Sequence, residues 1–213
     1  MIRAIVADDH PVVRMGIVAI LERARGIDVV GETHSSTGLM TLLETTGCDV
    51  LITDFSMPDD RFGDGLQMLD RLRRWHPGLA IVVLTMVSHP STLRSMAALG
   101  CHGICDKRAP LTDCVKAIRA IAAGGTFRSE TALNALREGE GTEHGYDRTA
   151  LSPREVEVVR LVAEGLTMEQ IAVRLHRSPK TVSAQKRNAM LRLDMTSDDA
   201  LCRYAYATGL AWR

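Results

Sequence analysis

Asp8-Asp9, Asp54, Thr85 and Lys107 are the residues of this chain whose types and spacing could do chemistry together. Each stands at or just past the end of an apolar, β-branched run: Ile2–Ala7, Val50–Thr53, Ala80–Thr85 and Gly103–Cys105. A lone Asp after such a run is usually a turn or capping residue, and a lone Lys is usually a solvated charge. Four such positions at successive strand ends have a different meaning. In an open α/β sheet the carboxyl ends of the strands form the ligand crevice, so these residues should converge. Three carboxylates in one crevice repel one another, and a hard cation such as Mg²⁺ relieves that repulsion. One carboxylate can then attack a phosphoryl group and become an aspartyl phosphate. Asp54 is the best nucleophile because it ends the central strand. Lys107 would pair with one phosphoryl oxygen and the Thr85 hydroxyl would bond another.

A second set of residues is basic. Net charge is zero, with 26 basic and 26 acidic side chains. The distribution is uneven: Arg174, Arg177, Lys180, Lys186, Arg187 and Arg192 fall within residues 174–192, which hold no acid. A local patch of this kind attracts phosphates whatever the total. On a helix from Ser178 to Leu193, Val182, Ala189 and Leu193 share the core face. Lys180, Ala184 and Arg187 lie opposite, with Ser183 beside them. Preceded by a helix, a turn and a short helix, this is the helix-turn-helix arrangement that lays its second helix in the major groove. Arg187 could then take guanine, Ser183 a base edge and Ala184 a thymine methyl. Lys180, Thr181 and Lys186 would hold phosphates, Lys186 by extending its stem outward from near the core face. Without the helix-turn-helix context, the same helix would be a bundle helix with a solvated basic face.

The elements that must position these residues follow from pattern. Strand-like runs at 2–7, 27–31, 50–53, 80–85 and 103–105 alternate with helical stretches at 11–23, 39–45, 65–75, 91–99 and 110–123. Five βα units with near-continuous apolar strands predict a doubly wound, five-stranded parallel α/β sheet over residues 1–125. Residues 126–149 read as a flexible linker, because Glu138-Gly139-Glu140-Gly141-Thr142-Glu143-His144-Gly145 cannot bury a core. Residues 150–213 show no strand. Ser152-Pro153-Arg154-Glu155 and Thr167-Met168-Glu169-Gln170 are capping boxes that start helices. Gly165 makes the turn between them, and Ser197 or Asp198 can cap a last helix. This predicts a separate all-α domain.

Composition excludes other classes. Five scattered cysteines argue against a disulfide framework, and Cys101-His102 with Cys105 lacks a second ligand pair for zinc. The N-terminus reads as a buried strand rather than a signal peptide, and no apolar run spans a bilayer. A cytoplasmic protein with no membrane partner is expected.

With these marks in place, residues 1–125 resemble the receiver domain of two-component response regulators, a flavodoxin-like fold. Asp8-Asp9, Asp54 followed by Met57-Pro58, Thr85, and Lys107 followed by Pro110 carry the resemblance. It implies Asp54 as phosphoacceptor, and Mg²⁺ on Asp9, Asp54 and the backbone carbonyl of Ser56, with Asp8 acting through water. It also implies Thr85 and Lys107 as the groups that sense the phosphoryl. Two features depart from the common pattern: Ile104 stands where many receivers carry an aromatic residue, and Asp59–Gly65 is longer than the usual turn. Leu151-Ser152-Pro153-Arg154-Glu155, Ala163-Glu164-Gly165, Ile171-Ala172, Ser178 and Thr181-Val182 resemble the LuxR/FixJ-type DNA-binding domain, with Gln185 where many members have His. The pairing is most similar to the Rcs-type regulators of capsule and envelope-stress genes. The resemblance implies a phosphorylation-controlled transcription factor. A histidine kinase or phosphotransfer protein would supply the phosphoryl group. A homodimer, or a heterodimer with another regulator, would bind double-stranded DNA. Two other functions compete with it. One is an auxiliary factor that binds DNA through a partner regulator without phosphorylation. The other is a phosphatase working through an aspartyl phosphate, which requires a second Asp two residues after the nucleophile; Ser56 stands there, so no enzyme is expected.

Overall fold

The computed structural model describes residues 1–57, 62, 65–138, 151–208, 210 and 211. Pro58, the rest of the long turn after it apart from Phe62 and Gly65, and the acidic stretch 139–150 lie outside the described residues. The chain divides into two compact units, Met1–Thr85 with Met96–Ala132, and Met86–Ser95 with Leu133–Arg213.

The first unit is built on strands β1 (Ile2–Ala7), β2 (Ile27–Thr33), β3 (Val50–Asp54), β4 (Ala80–Thr85) and β5 (Gly103–Asp106). They pair in parallel in the order β2-β1-β3-β4-β5. The parallel strands are buried on both faces: Ala4 to Ala7 and Leu51 to Phe55 are shielded almost completely. Helices α1 (Pro11–Arg23), α2 (Ser36–Thr45), α3 (Gly65–Trp75) and α5 (Thr112–Ala122) belong to this unit, and α4 (Pro90–Ala98), whose first six residues count with the second unit, follows β4 in the chain. Ile17 and Leu21 of α1 pack with Ala117 and Ile118 of α5 against Val6, Ile52, Val82 and Leu84 of the sheet. Each of these isoleucines, leucines and valines contributes roughly 1.5–3 kcal/mol through the area it removes from water.

Two expectations change here. The sheet has six strands rather than five, because β6 (Phe127–Arg128) pairs with β5 through Gly103↔Phe127 and Ile104↔Arg128. Residues 126–149 are not all linker either: β6 is followed by α6 (Glu130–Glu138). Two residues are too few to show a strand period. Ala132, Leu133 and Leu136 recur at helical spacing in α6, directly before an acidic glycine-rich run that carries no such pattern.

The second unit is helical where described after α6. Its helices are α7 (Pro153–Ala163), α8 (Met168–Arg174), α9 (Pro179–Arg192) and α10 (Asp198–Ala207). Both capping boxes close. Glu155 N–H donates to Ser152 Oγ at 3.3 Å while Ser152 N–H donates to Glu155 Oε2 at 2.7 Å. Thr167 and Gln170 do the same at the start of α8. Gly165 turns the chain at φ +85°, a region that favours glycine. Ser178 caps α9 and Ser197 caps α10, each accepting a backbone N–H three residues on.

Candidate functional site

The β2-β1-β3 order places the switch point between β1 and β3, and the acidic residues end these two strands. β1 runs out at Ala7, leaving Asp8 and Asp9 in the loop; β3 ends on Asp54 itself. Asp8 is fully buried and Asp54 is 3 % exposed. Lys107, just past β5, bridges them: its Nζ lies 2.6 Å from Asp54 Oδ2 and 2.8 Å from Asp8 Oδ2. Thr85 ends β4 between β3 and β5. It is buried, and its carbonyl accepts the Lys107 backbone N–H at 3.0 Å. Ser56 stands beside Asp54, its N–H donating to Asp54 Oδ1 at 3.2 Å. The residues expected to converge do so.

Burial dominates the electrostatics of Asp54. It outweighs the pull of Lys107, the Asp8 charge adds to it, and the carboxyl is pushed up to about 7. At Lys107, burial works against the charge, but Asp54 and Asp8 overcome it and hold the ammonium above its ordinary value.

His10, Arg14 and Glu32 were not anticipated. His10 Nδ1 lies 2.7 Å from Asp9 Oδ1, and 3.3 and 4.0 Å from the Asp8 and Asp54 carboxylates. Its N–H donates to Asp8 Oδ1 at 2.8 Å. Arg14 fastens α1 to the loop by donating to the Asp8 carbonyl at 2.8 Å, and it pairs with Glu32 on β2 at 3.3 Å. Position next to Asp8-Asp9 was the one available signal for His10; Arg14 and Glu32 carried none.

The donor set suits a hard cation. One ligand atom each from Asp8, Asp9, His10 and Asp54 lie within 4.8 Å of one another. Asp8 Oδ2 and Asp9 Oδ1 are buried and have no aligned hydrogen bond, although Lys107 and His10 lie within ion-pair distance of them. Carboxylate oxygens held this way fit the oxygen-rich coordination of Mg²⁺.

On α9 the second set of residues separates into engaged and unengaged groups. Val182 and Ala189 are buried and Leu193 is half-buried. Lys180, Thr181, Ala184 and Arg187 are exposed and Ser183 is half-buried. The Thr181 hydroxyl lies 2.8 Å from Ser178 Oγ, inside the cap. Lys186 does not reach outward as expected, because its Nζ pairs with Asp198 at 2.5 Å. Arg177 pairs with Glu157 and Arg192 with Glu155, both on α7. Lys180 and Arg187 make no ion pair among the described residues. The basic run is thus a much smaller set of available cations than its sequence suggests.

Comparison with known proteins identifies the families of both domains. Residues 4–119 match the response regulator receiver domain model, and residues 149–205 match that of the bacterial regulatory proteins of the luxR family. The chain is 41% identical over 207 residues to the transcriptional regulatory protein RcsB of Escherichia coli (strain K12), covering 97% of this chain and 95% of that protein. A solved RcsB response regulator of Salmonella typhimurium superposes with a TM-score of 0.85 at 39% identity, covering 97% of this chain and 98% of that one. RcsB of Salmonella enterica serovar Typhimurium, bound to a promoter in the presence of the phosphomimetic BeF3−, gives 0.84 at 39% identity over the same shares.

Proposed function

The chain belongs to the RcsB-like transcriptional response regulators, with a receiver and a LuxR-type DNA-binding domain, and from that we propose that Asp54 is its phosphoacceptor and that phosphorylation there governs dimerisation and binding to double-stranded DNA. The observation that carries the reading is the Lys107 ammonium lying between Asp54 and Asp8 at 2.6 and 2.8 Å. A cation in that place stabilises charge as it builds on the phosphoryl oxygens. A phosphohistidine of a histidine kinase or phosphotransfer protein is the donor. An Asp54 oxygen bonds to phosphorus as the P–N bond breaks, and the departing imidazole keeps the electron pair and takes a proton from solvent. Lys107 then pairs with one phosphoryl oxygen and the Thr85 hydroxyl donates to another. Asp9, Asp54 and the Ser56 carbonyl, with Asp8 through water, would hold Mg²⁺, which would supply positive charge to the crowded carboxylates and the phosphoryl group. The chemistry ends with the chain's own modification, so the protein is not an enzyme.

The receiver spans residues 1–125 and takes β6 onto the edge of its sheet, and the DNA-binding domain spans 150–213. Arg187, Ser183 and Ala184 read base edges; Lys180, Thr181 and Lys186 contact phosphates, Lys186 by leaving Asp198. Two such helices in a homodimer, or in a heterodimer with another regulator, span two half-sites. The protein acts in the cytoplasm. No helix among the described residues is long and apolar enough to cross a membrane. The test uses acetyl phosphate with Mg²⁺ on the full chain. Intact mass should show one added phosphoryl group, absent in Asp54→Ala, and light scattering should show a larger species for the wild type alone. A wild-type chain that takes up phosphoryl but keeps its mass in solution and its DNA affinity would favour the auxiliary factor that works through a partner.

A further inference from the structure

Two buried carboxylates face the DNA-reading helix. Glu155 and Glu157 of α7 are 5 % and 4 % exposed. Burying a carboxylate costs several kcal/mol unless partners recover it. The partners here are arginines at opposite ends of α9. Glu155 meets Arg192 in the last turn at 3.3 Å. Glu157 meets Arg177, two residues before the first turn, also at 3.3 Å. Arg177 reaches further: its other terminal nitrogen donates to Gln185 Oε1 on α9 at 3.1 Å. Val182 and Ala189 alone leave the helix free to roll slightly on an apolar seat, because apolar contact is not directional. Fixed hydrogen-bond geometry removes that freedom. The chain Glu157–Arg177–Gln185 ties the middle of α9 to α7 across its own N-terminal turn.

We propose that Glu157, Arg177 and Gln185 form a positioning relay that sets the rotation of α9 about its axis, and with it the base discrimination of Ser183 and Arg187. The inference rests on the reading of α9 as the DNA-contacting helix. Arg177 is then a positioning residue: its charge is directed inward, and it acts through Gln185. A small roll of α9 misdirects Arg187 from a guanine edge while leaving its attraction to phosphates, so the relay governs discrimination more than overall attraction.

The experiment selects a preferred duplex from a random-sequence pool with the full-length wild type. It then measures affinity for that duplex and for a permuted duplex of equal base composition. The ratio of the two affinities is the readout. Glu157→Leu and Gln185→Ala should each lower the ratio about tenfold, and the double variant should lower it no further, since both cut one chain. Gln185→Glu keeps an acceptor for Arg177, so both affinities fall together and the ratio survives; this arm decides the matter if Glu157→Leu fails to fold. Unchanged ratios in the single variants, losses that multiply in the double variant, or a ratio lost in Gln185→Glu overturn the relay alone. A wild-type chain that enriches no sequence overturns the DNA-binding reading and the relay with it.

Discussion

Lys186 Nζ lies 2.5 Å from Asp198 Oδ2, joining α9 to the first residue of α10. The lysine side chain is 18% exposed and the aspartate 62%, so the pair is worth little to stability, but it withholds a cation from DNA. Asp198→Asn releases it. The variant should bind duplex DNA more tightly at low salt, because Lys186 no longer has to leave Asp198, while its plot of log affinity against log salt keeps the wild-type slope. A slope steeper by about 0.9 in the variant would show that wild-type Lys186 stays on Asp198 and contacts no phosphate.

Lys180 and Arg187 differ in what they should lose. Lys180→Ala should weaken binding to selected and permuted duplexes alike and flatten the salt slope by about 0.9. Arg187→Ala should cost the selected duplex about tenfold more than the permuted one. Equal losses on both duplexes would move Arg187 to the phosphate-binding group.

The Asp54 carboxyl is raised from 3.8 to about 7, first by burial. The folded state therefore binds more protons than the unfolded one between those values, and stability falls as pH rises through that window. Asp54→Asn has no such proton to lose. It should melt a few degrees above the wild type at pH 8, with the gap closing near pH 4. Calorimetry at both pH values measures it, and a gap independent of pH counts against the raised carboxyl.

Mg²⁺ should add stability where protons do not compete for the same oxygens. Millimolar Mg²⁺ is expected to raise the wild-type melting temperature at pH 8, to do so less as pH falls below 7, and to do nothing for Asp9→Ala. Equal gains in Asp9→Ala would place the ion elsewhere.

Ser129 is buried, its Oγ accepts the Asp106 backbone N–H at 3.1 Å, and its own N–H donates to the Ile104 carbonyl at 2.9 Å. Ser129→Ala leaves the Asp106 N–H without its acceptor and should cost about 1–3 kcal/mol. Urea unfolding would report a lower midpoint at unchanged slope.

The architecture was legible where pattern and chemistry coincided. Apolar runs ending in Asp9, Asp54, Thr85 and Lys107 disclosed both the sheet and its crevice, because parallel strands buried on both faces must be apolar throughout and only their ends can carry charge. Ser152, Thr167 and Ser178 marked helix starts through capping that depends on neighbours three residues away. What escaped notice was long-range or too short to have a period. Arg14 of α1 meets Glu32 of β2. Glu157 meets Arg177 from another helix, and Lys186 meets Asp198 across a turn. Local spacing cannot announce such pairs, so a run of six basic residues looked more available than it is. β6 is two residues long and had no alternation to reveal it.

That short strand also bears on how the protein keeps its own copies apart. Without β6, the backbone groups of β5 would stand open as a template on which another chain could add a strand, and that invites aggregation. Phe127–Arg128 pairs with part of that row and presents a new margin of only two residues, one of them a charged arginine that donates its guanidinium to the carbonyls of Cys101 and His102. A rim that brief gives a foreign strand little to extend.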